Sequence, residues 1–356
     1  MDLGINSDYF KEQFEALFQY KKLDSVPLGS MWFSEGFAIK NAGLNIAKIF
    51  NDPETIYRAV CWAADQYKWN PFVHYGGFSV LGCFDFGGTM RYPQNEGDSF
   101  GALLHPVQNE ADVERLELPD PRGSGDIPRQ FEFATLQKKA GLPVTFFSRS
   151  PFCMASNMCG IERFFEWLVD KPELCERLME MGYQHTINVL DYWIASFGAE
   201  NIQVWMSTPV ESNQLISPRH MEKFCLPYHM KYHDHLEKVG IKRCGLHLCG
   251  EQNKNLPILS GASPWRHPTI LSFGVEVDIT KAAELFPEDI ICGNIDTNLI
   301  QAGRPEEVYG NCKSAIEKGK RIEGGFILAP GCDTPVFAAP ANVYAMTKAI
   351  EDFGSY

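Results

Sequence analysis

The chain has 356 residues, of which 45% are apolar and 22% are charged, a composition typical of globular proteins. Its 32 Lys and Arg residues against 45 Asp and Glu residues give a net charge of −13, which disfavours nucleic acids and anionic membrane surfaces as partners. No apolar run reaches the roughly 18 residues needed to span a bilayer, and the acidic, amphipathic N-terminal segment lacks the pattern of a signal peptide. These features predict a cytoplasmic protein.

Strand-like apolar segments alternate with helical segments along the chain. The predicted strands are 26–32, 72–78, 143–149, 201–207, 242–250, 269–276, 289–296 and 324–332. The clearest predicted helices are 53–68, 161–197, 218–239, 279–286 and 305–318. Eight strands in alternation with helices predict a single (β/α)8 TIM-barrel domain over 1–356, with an active site at the carboxyl ends of the strands. Residues 79–142 are too long for one crossover and predict an elaborated loop region after the second strand.

Eleven cysteines are many for a protein in a reducing compartment, where they are buried thiols, catalysts or metal ligands. His247 and Cys249 end the fifth predicted strand in GLHLCG, and side chains two apart on a strand point the same way. Cys332 ends the eighth predicted strand in APGCD. One nitrogen and two sulfur donors suit zinc and leave a fourth position for substrate. Spacing alone equally allows two core thiols and a hydrogen-bonded core histidine.

Three motifs carry a resemblance to a known family: GLHLCG, ICGNIDT and GGFILAPGCDTP, in that order. Together they resemble the uroporphyrinogen decarboxylase superfamily, well over residues 140–356 and loosely before them. The H-x-C…C pattern is similar to the branch of corrinoid-linked methyltransferases, which includes methylcobamide:coenzyme M methyltransferases and the first methyltransferases of O-demethylase systems. The resemblance implies that His247, Cys249 and Cys332 bind Zn²⁺. It also implies that a separate corrinoid protein, carrying the cobalamin, docks over the barrel.

Uroporphyrinogen-type decarboxylation is an alternative within the same superfamily. Its substrate carries eight carboxylates, and that branch has arginines after its first strand, in a motif resembling RQAGR. Here the stretch Ser30–Phe37 is SMWFSEGF, which contains no Arg or Lys and adds Glu35. A basic cluster formed elsewhere, by Arg91, Arg149 and Arg219, would be needed to bind the polyanion. The decarboxylase is therefore disfavoured.

Two methyl-transfer reactions fit a site of this kind. In the first, the Co(I) of a reduced corrinoid attacks the methyl carbon of a methyl ether, and the leaving oxygen departs as an anion that zinc would stabilise. In the second, a thiol bound as thiolate takes the methyl group from methyl-Co(III).

Glu211, after the fourth strand, is the candidate for a displaceable ligand or base. Asp333, beside Cys332, is a candidate for the same role or for orienting His247. A solvated loop position is the alternative for Glu211.

The choice of substrate depends on the residues at the strand ends. Coenzyme M carries a sulfonate and would need Arg or Lys nearby, whereas the predicted strand ends are rich in aromatic rings. This pattern favours a methoxylated aromatic as the methyl donor, bound by stacking and apolar burial. The candidate substrate-binding residues are Trp32, Phe33, Tyr75, Phe78, Phe152, Trp205 and Asn294. Barrel filling is the alternative for most of these rings, and a binding protein without turnover is the alternative for the whole chain.

A second histidine pattern lies in 218–239. His229 and His233 are four residues apart on a predicted helix, a spacing that can bind zinc. The surrounding stretch is charged and lacks the glutamate of H-E-x-x-H, so we predict a solvated helix face. The nine cysteines other than Cys249 and Cys332 are predicted to be core or near-core thiols.

Overall fold

The computed structural model describes residues 7–21, 23–29, 35–69 and 81–356. Its strands are β1 (Thr89–Arg91), β2 (Gly101–Leu104), β3 (Val144–Arg149), β4 (Ile202–Ser207), β5 (Arg243–Leu248), β6 (Ile270–Phe273), β7 (Ile290–Ile295) and β8 (Phe326–Pro330). β3 to β8 form a parallel sheet in chain order, and β1 and β2 form an antiparallel hairpin. The sheet order is the one expected when each strand is followed by a crossover helix.

The position of the first barrel strand is taken by residues 26–29. Leu28 pairs in parallel with Leu328 of β8, the Gly29 amide donates to the Leu328 carbonyl over 2.8 Å, and the Leu328 amide donates to the Pro27 carbonyl over 3.0 Å. The predicted second strand, 72–78, lies outside the described residues. The predicted α/β barrel is confirmed.

Helices connect the strands and cover the outside of the sheet. They are α1 (Ser7–Phe18), α2 (Glu35–Asn41), α3 (Ile46–Ile49), α4 (Pro53–Tyr67), α5 (Glu110–Arg115), α6 (Ile127–Lys139), α7 (Pro151–Cys159), α8 (Ile161–Asp170), α9 (Pro172–Phe197), α10 (Pro218–His220), α11 (Leu226–Lys238), α12 (Leu256–Ala262), α13 (Ile279–Leu285), α14 (Thr297–Ala302), α15 (Pro305–Gly319) and α16 (Pro340–Phe353). Among the described residues, no helix is both long and apolar enough to cross a membrane.

Two predicted helices are interrupted. The segment predicted as one helix over 161–197 consists of α8 and α9, because Pro172 starts the second helix and Lys171 is outside helical geometry. Between α10 and α11 the chain forms a π-helical turn at Met221–Cys225. The elaborated region after the second strand contains the β1–β2 hairpin and the helices α5 and α6.

The interior of the barrel is filled by alternate residues of the strands. Phe147, Trp205, Ile270, Ile290, Cys292, Ile327 and Ala329 pack together there, with Leu17 of α1. The register of the sheet sets Ser207 beside His247, His247 beside Ser272 and Ser272 beside Cys292. Because side chains alternate along each strand, His247 and Ser272 point into the same end of the barrel.

Candidate metal centre

One imidazole and two thiols meet just beyond the ends of β5 and β8. Ligand atoms of His247, Cys249 and Cys332 all lie within 4.8 Å of one another. The two sulfur atoms are 4.0 Å apart, and both cysteines are free thiols that are partly exposed. β5 ends at Leu248 and β8 ends at Pro330, so both cysteines are in the turns that leave the barrel. The three residues predicted as ligands are therefore brought together.

Ser272 of β6 orients the imidazole. Its hydroxyl lies 3.0 Å from Nδ1 of the buried His247. A polar partner on one ring nitrogen fixes the ring and leaves the other nitrogen for a metal. Ser272 was not predicted from the sequence, because the register that sets it beside His247 is a property of the folded sheet.

The two thiols differ in acidity. The hydrogen bond from Cys332 and the nearby Arg149 guanidinium lower the pKa of Cys249, whereas the same hydrogen bond and burial raise the pKa of Cys332 to about 12. Such a pair holds its protons jointly, and a metal would displace them because thiolates are the ligand form.

Arg149, at the end of β3, is the cationic neighbour of the thiols. Burial lowers the pKa of its guanidinium, and Cys153, Cys249 and Cys332 oppose that effect. Its Nη1 donates to the Ser207 hydroxyl over 3.2 Å. From the sequence, Arg149 is predicted only as part of a basic cluster for a polyanion, because a strand-end arginine cannot be assigned to a neighbour without the tertiary structure.

A cavity of about 320 Å³ opens beside the three candidate ligands. The acidic residues that line it are Glu35, Glu96, Asp98 and Asp333. Arg149 is the single arginine among the described lining residues. The lining residues Glu96, Asp98, Ser99 and Phe100 come from the β1–β2 hairpin region. Four acidic side chains and a single arginine among the described lining residues offer too few cations for a polyanion.

Glu35 and Asp333 have raised pKa values for related reasons. Burial and the neighbouring Asp333 raise the pKa of the Glu35 carboxyl well above its usual range. The Asp333 side chain reaches solvent within the cavity, yet the protein around it and the Cys332 thiolate raise the pKa of its carboxyl too. Asp333, one of the two predicted catalytic residues, lines the cavity.

The sequence of this chain matches a known protein family and its members. The family model described as "Uroporphyrinogen decarboxylase (URO-D)" matches residues 10–353. The chain belongs to this family. It is 25% identical, over 70% of this chain and 71% of the relative, to the methylcobamide:CoM methyltransferase MtbA of Methanosarcina acetivorans. It is 24% identical, over 66% of this chain and 70% of the relative, to the uroporphyrinogen decarboxylase of Carboxydothermus hydrogenoformans. The chain is thus an enzyme of a family with both kinds of members.

Solved structures support the same fold. A methyltransferase from Methanosarcina mazei matches with a TM-score of 0.80 and 19% identity, covering 97% of this chain and 98% of that one. A B12-independent methionine synthase from Shewanella sp. matches with a TM-score of 0.54 and 12% identity, covering 92% and 96%. At these identities the likeness shows the fold alone.

The second predicted catalytic residue, Glu211, is not at a solvated loop position. It is fully buried, its Oε2 lies 2.8 Å from Nε2 of the buried His229, and it is not among the described residues lining the cavity. The prediction of a solvated face for His229 and His233 is also wrong, since both are buried on α11. The charged pattern of this helix misled the prediction, because the face packed on the barrel carries the histidines.

The structure describes three of the seven predicted substrate-binding residues, Phe152, Trp205 and Asn294. Trp32, Phe33, Tyr75 and Phe78 lie outside the described residues. Phe152 is a core residue of α7 packed edge-on against Phe164, and Trp205 is inside the barrel. Asn294 donates to the Gly274 and Val277 carbonyls and so holds the turn after β6. These three are not among the described residues that line the cavity.

Proposed function

We propose that this protein is a zinc-dependent methyltransferase, which moves a methyl group between a small molecule and the cobalt of a corrinoid protein. The observation that carries the proposal is the cluster of one imidazole and two thiols at the end of the barrel, beside a cavity large enough for a small substrate. The methylcobamide:CoM methyltransferases among its relatives support the cobalt chemistry by their names.

The donor set fits zinc. His247, Cys249 and Cys332 would hold the ion with one nitrogen and two thiolates, the composition of sites that keep a fourth position for substrate. Zinc bound there would supply Lewis acidity towards a thiol sulfur or an ether oxygen. Two thiolates cancel the charge of the ion, so the charge that a substrate meets is set by the neighbouring side chains.

Arg149 provides the positive charge of the site. Because its guanidinium acts on both ligand sulfurs and lines the cavity, it favours an anionic sulfur or oxygen on the substrate. Ser207 keeps the guanidinium in place through its hydroxyl. This charge suits both a thiolate acceptor and the oxygen that leaves a methyl ether.

For the substrate, we retain a methoxylated aromatic donor, and hence O-demethylation, as the first hypothesis. Phe100 supplies an aromatic wall in the described cavity. A thiol acceptor resembling coenzyme M is the second candidate, favoured by Arg149 beside the ligands and by the names of the relatives. The four carboxylates of the cavity disfavour a porphyrinogen with eight carboxylates.

A donor panel with free Co(I) cobalamin tests the proposal. Veratrole, guaiacol, methanol and methylated coenzyme M are offered to the zinc-loaded protein, and the absorbance change from Co(I) to methyl-Co(III) is followed. Methylation from veratrole or guaiacol alone supports O-demethylation, and activity with the thioether alone supports the thiol reaction. Full zinc occupancy without transfer from any donor contradicts the proposal and favours a non-catalytic binding protein.

A further inference from the structure

Two fully buried amides connect the turn that carries Cys249 to the turn after β4. The Gln252 side chain donates to the Cys249 carbonyl over 2.9 Å. The Asn255 side chain donates to the Glu211 carbonyl and to the Gln252 side-chain oxygen, both over 2.9 Å. Asn213 completes the group by donating to the Asn255 side-chain oxygen over 2.8 Å. We call Gln252 and Asn255 the amide clamp.

The clamp acts where the sheet no longer holds the chain. β5 ends at Leu248, so Cys249 lies beyond the last residue of the strand. Gly250 then turns the backbone with a φ of +69°, and a Cβ there would lie 2.9 Å from the Gln214 side-chain oxygen. Such a turn lacks the interstrand hydrogen bonds that hold a residue within a sheet. The Gln252 amide donates to the Cys249 carbonyl the hydrogen bond that a neighbouring strand would otherwise give.

We propose that Gln252 and Asn255 are positioning residues for the metal centre, which hold the backbone of Cys249 so that its thiolate meets His247 and Cys332. The inference rests on the proposed function in that these three residues are taken as zinc ligands. Neither amide is among the described residues that line the cavity, so the effect passes through the Cys249 backbone and not through substrate. Burying two amides is costly unless their hydrogen bonds are made, and these are made to the ligand turn and its neighbour.

The same chain offers matched controls. Asn342 is a buried amide that donates to two backbone carbonyls, those of Ile300 and Gly303, as Asn255 donates to Glu211. Gln137 is a buried amide that hydrogen-bonds to Thr145 of β3. Substitution of these two residues removes buried hydrogen bonds of the same kind away from the candidate ligands.

The experiment compares Gln252→Met and Asn255→Leu with Gln137→Met and Asn342→Leu. Zinc affinity is measured by competition with a chromophoric chelator, the Co(II)-substituted proteins are compared by their d–d absorption, and the melting temperature of each metal-free protein is recorded. Loss of partners outside the ligand shell typically weakens metal affinity about 10- to 100-fold. We expect that loss and a shifted Co(II) spectrum in the clamp variants, while all four variants lose thermal stability.

Equal zinc affinity and an unchanged Co(II) spectrum in the clamp variants would overturn the inference, leaving the amides with a structural role alone. If Asn255→Leu does not fold, Gln252→Met alone decides, because it removes the donor to the Cys249 carbonyl and introduces no charge. A native protein that holds no zinc contradicts the proposed function itself. If the native protein and the clamp variants bind zinc with equal affinity, only the positioning role of the clamp is contradicted.

Discussion

Cys249 and Cys332 are 83 residues apart in the chain, and their sulfur atoms are 4.0 Å apart. They are the two cysteines with partial exposure, whereas the nine others are buried as predicted. Burial raises the pKa of thiols such as Cys153 and Cys292 to about 12, but the pKa of Cys332 is raised as far, so acidity alone does not separate ligands from core thiols. At the scale of single residues, exposure at a strand end separates the two candidate ligands from the core thiols.

Substitution of Cys332 by alanine should remove the metal and leave the fold. We expect less than about 0.2 zinc per chain, because three protein ligands are reduced to two. Zinc is measured by elemental analysis and the fold by circular dichroism. The control is Cys312→Ala, the same change at a fully buried thiol of α15, which should cost some stability and keep the zinc. Full zinc content in Cys332→Ala would remove this residue from the ligand set.

At the scale of elements, α11 buries two histidines against the barrel. Among the described residues, the Nε2 atom of His233 has no hydrogen-bond partner, and the ring packs edge-on near Trp265. Burial and His229 lower the pKa of His233 to about 3. In the unfolded chain a histidine pKa is about 6.5. Between these two values the unfolded state binds a proton that the folded state does not, so stability falls as the pH falls below about 6.5.

The variant His233→Gln should therefore resist acid better than the native protein. Between pH 7 and pH 5 the native protein should lose about 2 kcal/mol of unfolding free energy that the variant keeps, from about 1.5 pH units of uncompensated protonation. Urea unfolding at the two pH values measures the difference. The control is His235→Gln, at a more exposed position of the same helix. Parallel pH dependence in the His233 variant and the native protein would contradict the assignment.

The packing of β4 against β5 depends on one pair of residues, Trp205 and Gly245. Gly245 lies under the Trp205 ring, and a Cβ at this glycine would be 2.0 Å from the ring atoms. This packing explains why Trp205 fills the barrel and does not form a substrate wall.

Gly245→Ala should displace the Trp205 ring and destabilise the fold by about 1–3 kcal/mol, the usual cost of overpacking a core. Thermal unfolding gives the loss, and tryptophan fluorescence reports the ring. Gly261→Ala is the matched control, because a Cβ on that α12 glycine meets no atom within 4 Å. If Gly245→Ala is as stable as the control, the strands can move apart enough to accept the alanine side chain, and the prediction is wrong.

At the scale of the whole molecule, a metal bound by these residues would join β5 to β8 across the end of the barrel. The site also lies between the barrel and the β1–β2 hairpin region that covers it. Binding to the folded state alone stabilises it by mass action, by about 4 kcal/mol when free metal is 1,000 times its dissociation constant.

Zinc should consequently raise the melting temperature of the metal-free protein by several degrees, and a chelator should reverse the change. Differential scanning calorimetry with and without zinc measures it. In Cys332→Ala the shift should disappear, which separates the site from weak binding elsewhere on a chain of charge −13. An equal shift in that variant would locate the stabilising ion outside the proposed centre.

The barrel and its candidate ligands follow from local features of the sequence. The alternation of strands and helices predicted the parallel order of β3 to β8, and the H-x-C spacing placed His247 and Cys249 on one side of a strand end. Pro172 is a local signal for the start of a new helix, and the predicted single helix over 161–197 does not take it into account. Residues whose role depends on a neighbour from another strand, such as Ser272 and Arg149, were missed.

The sequence by itself determined the fold class, the family resemblance and the three candidate ligands, because periodicity and strand-end motifs depend on residues close together in the chain. Only the tertiary structure decided which side chains share the cavity. It set Arg149 and Asp333 beside the thiols, buried Glu211 against His229, and moved Phe152 and Trp205 into the core. The physical reason is that side-chain direction at a strand end or in a loop depends on packing between distant segments, which no local period encodes.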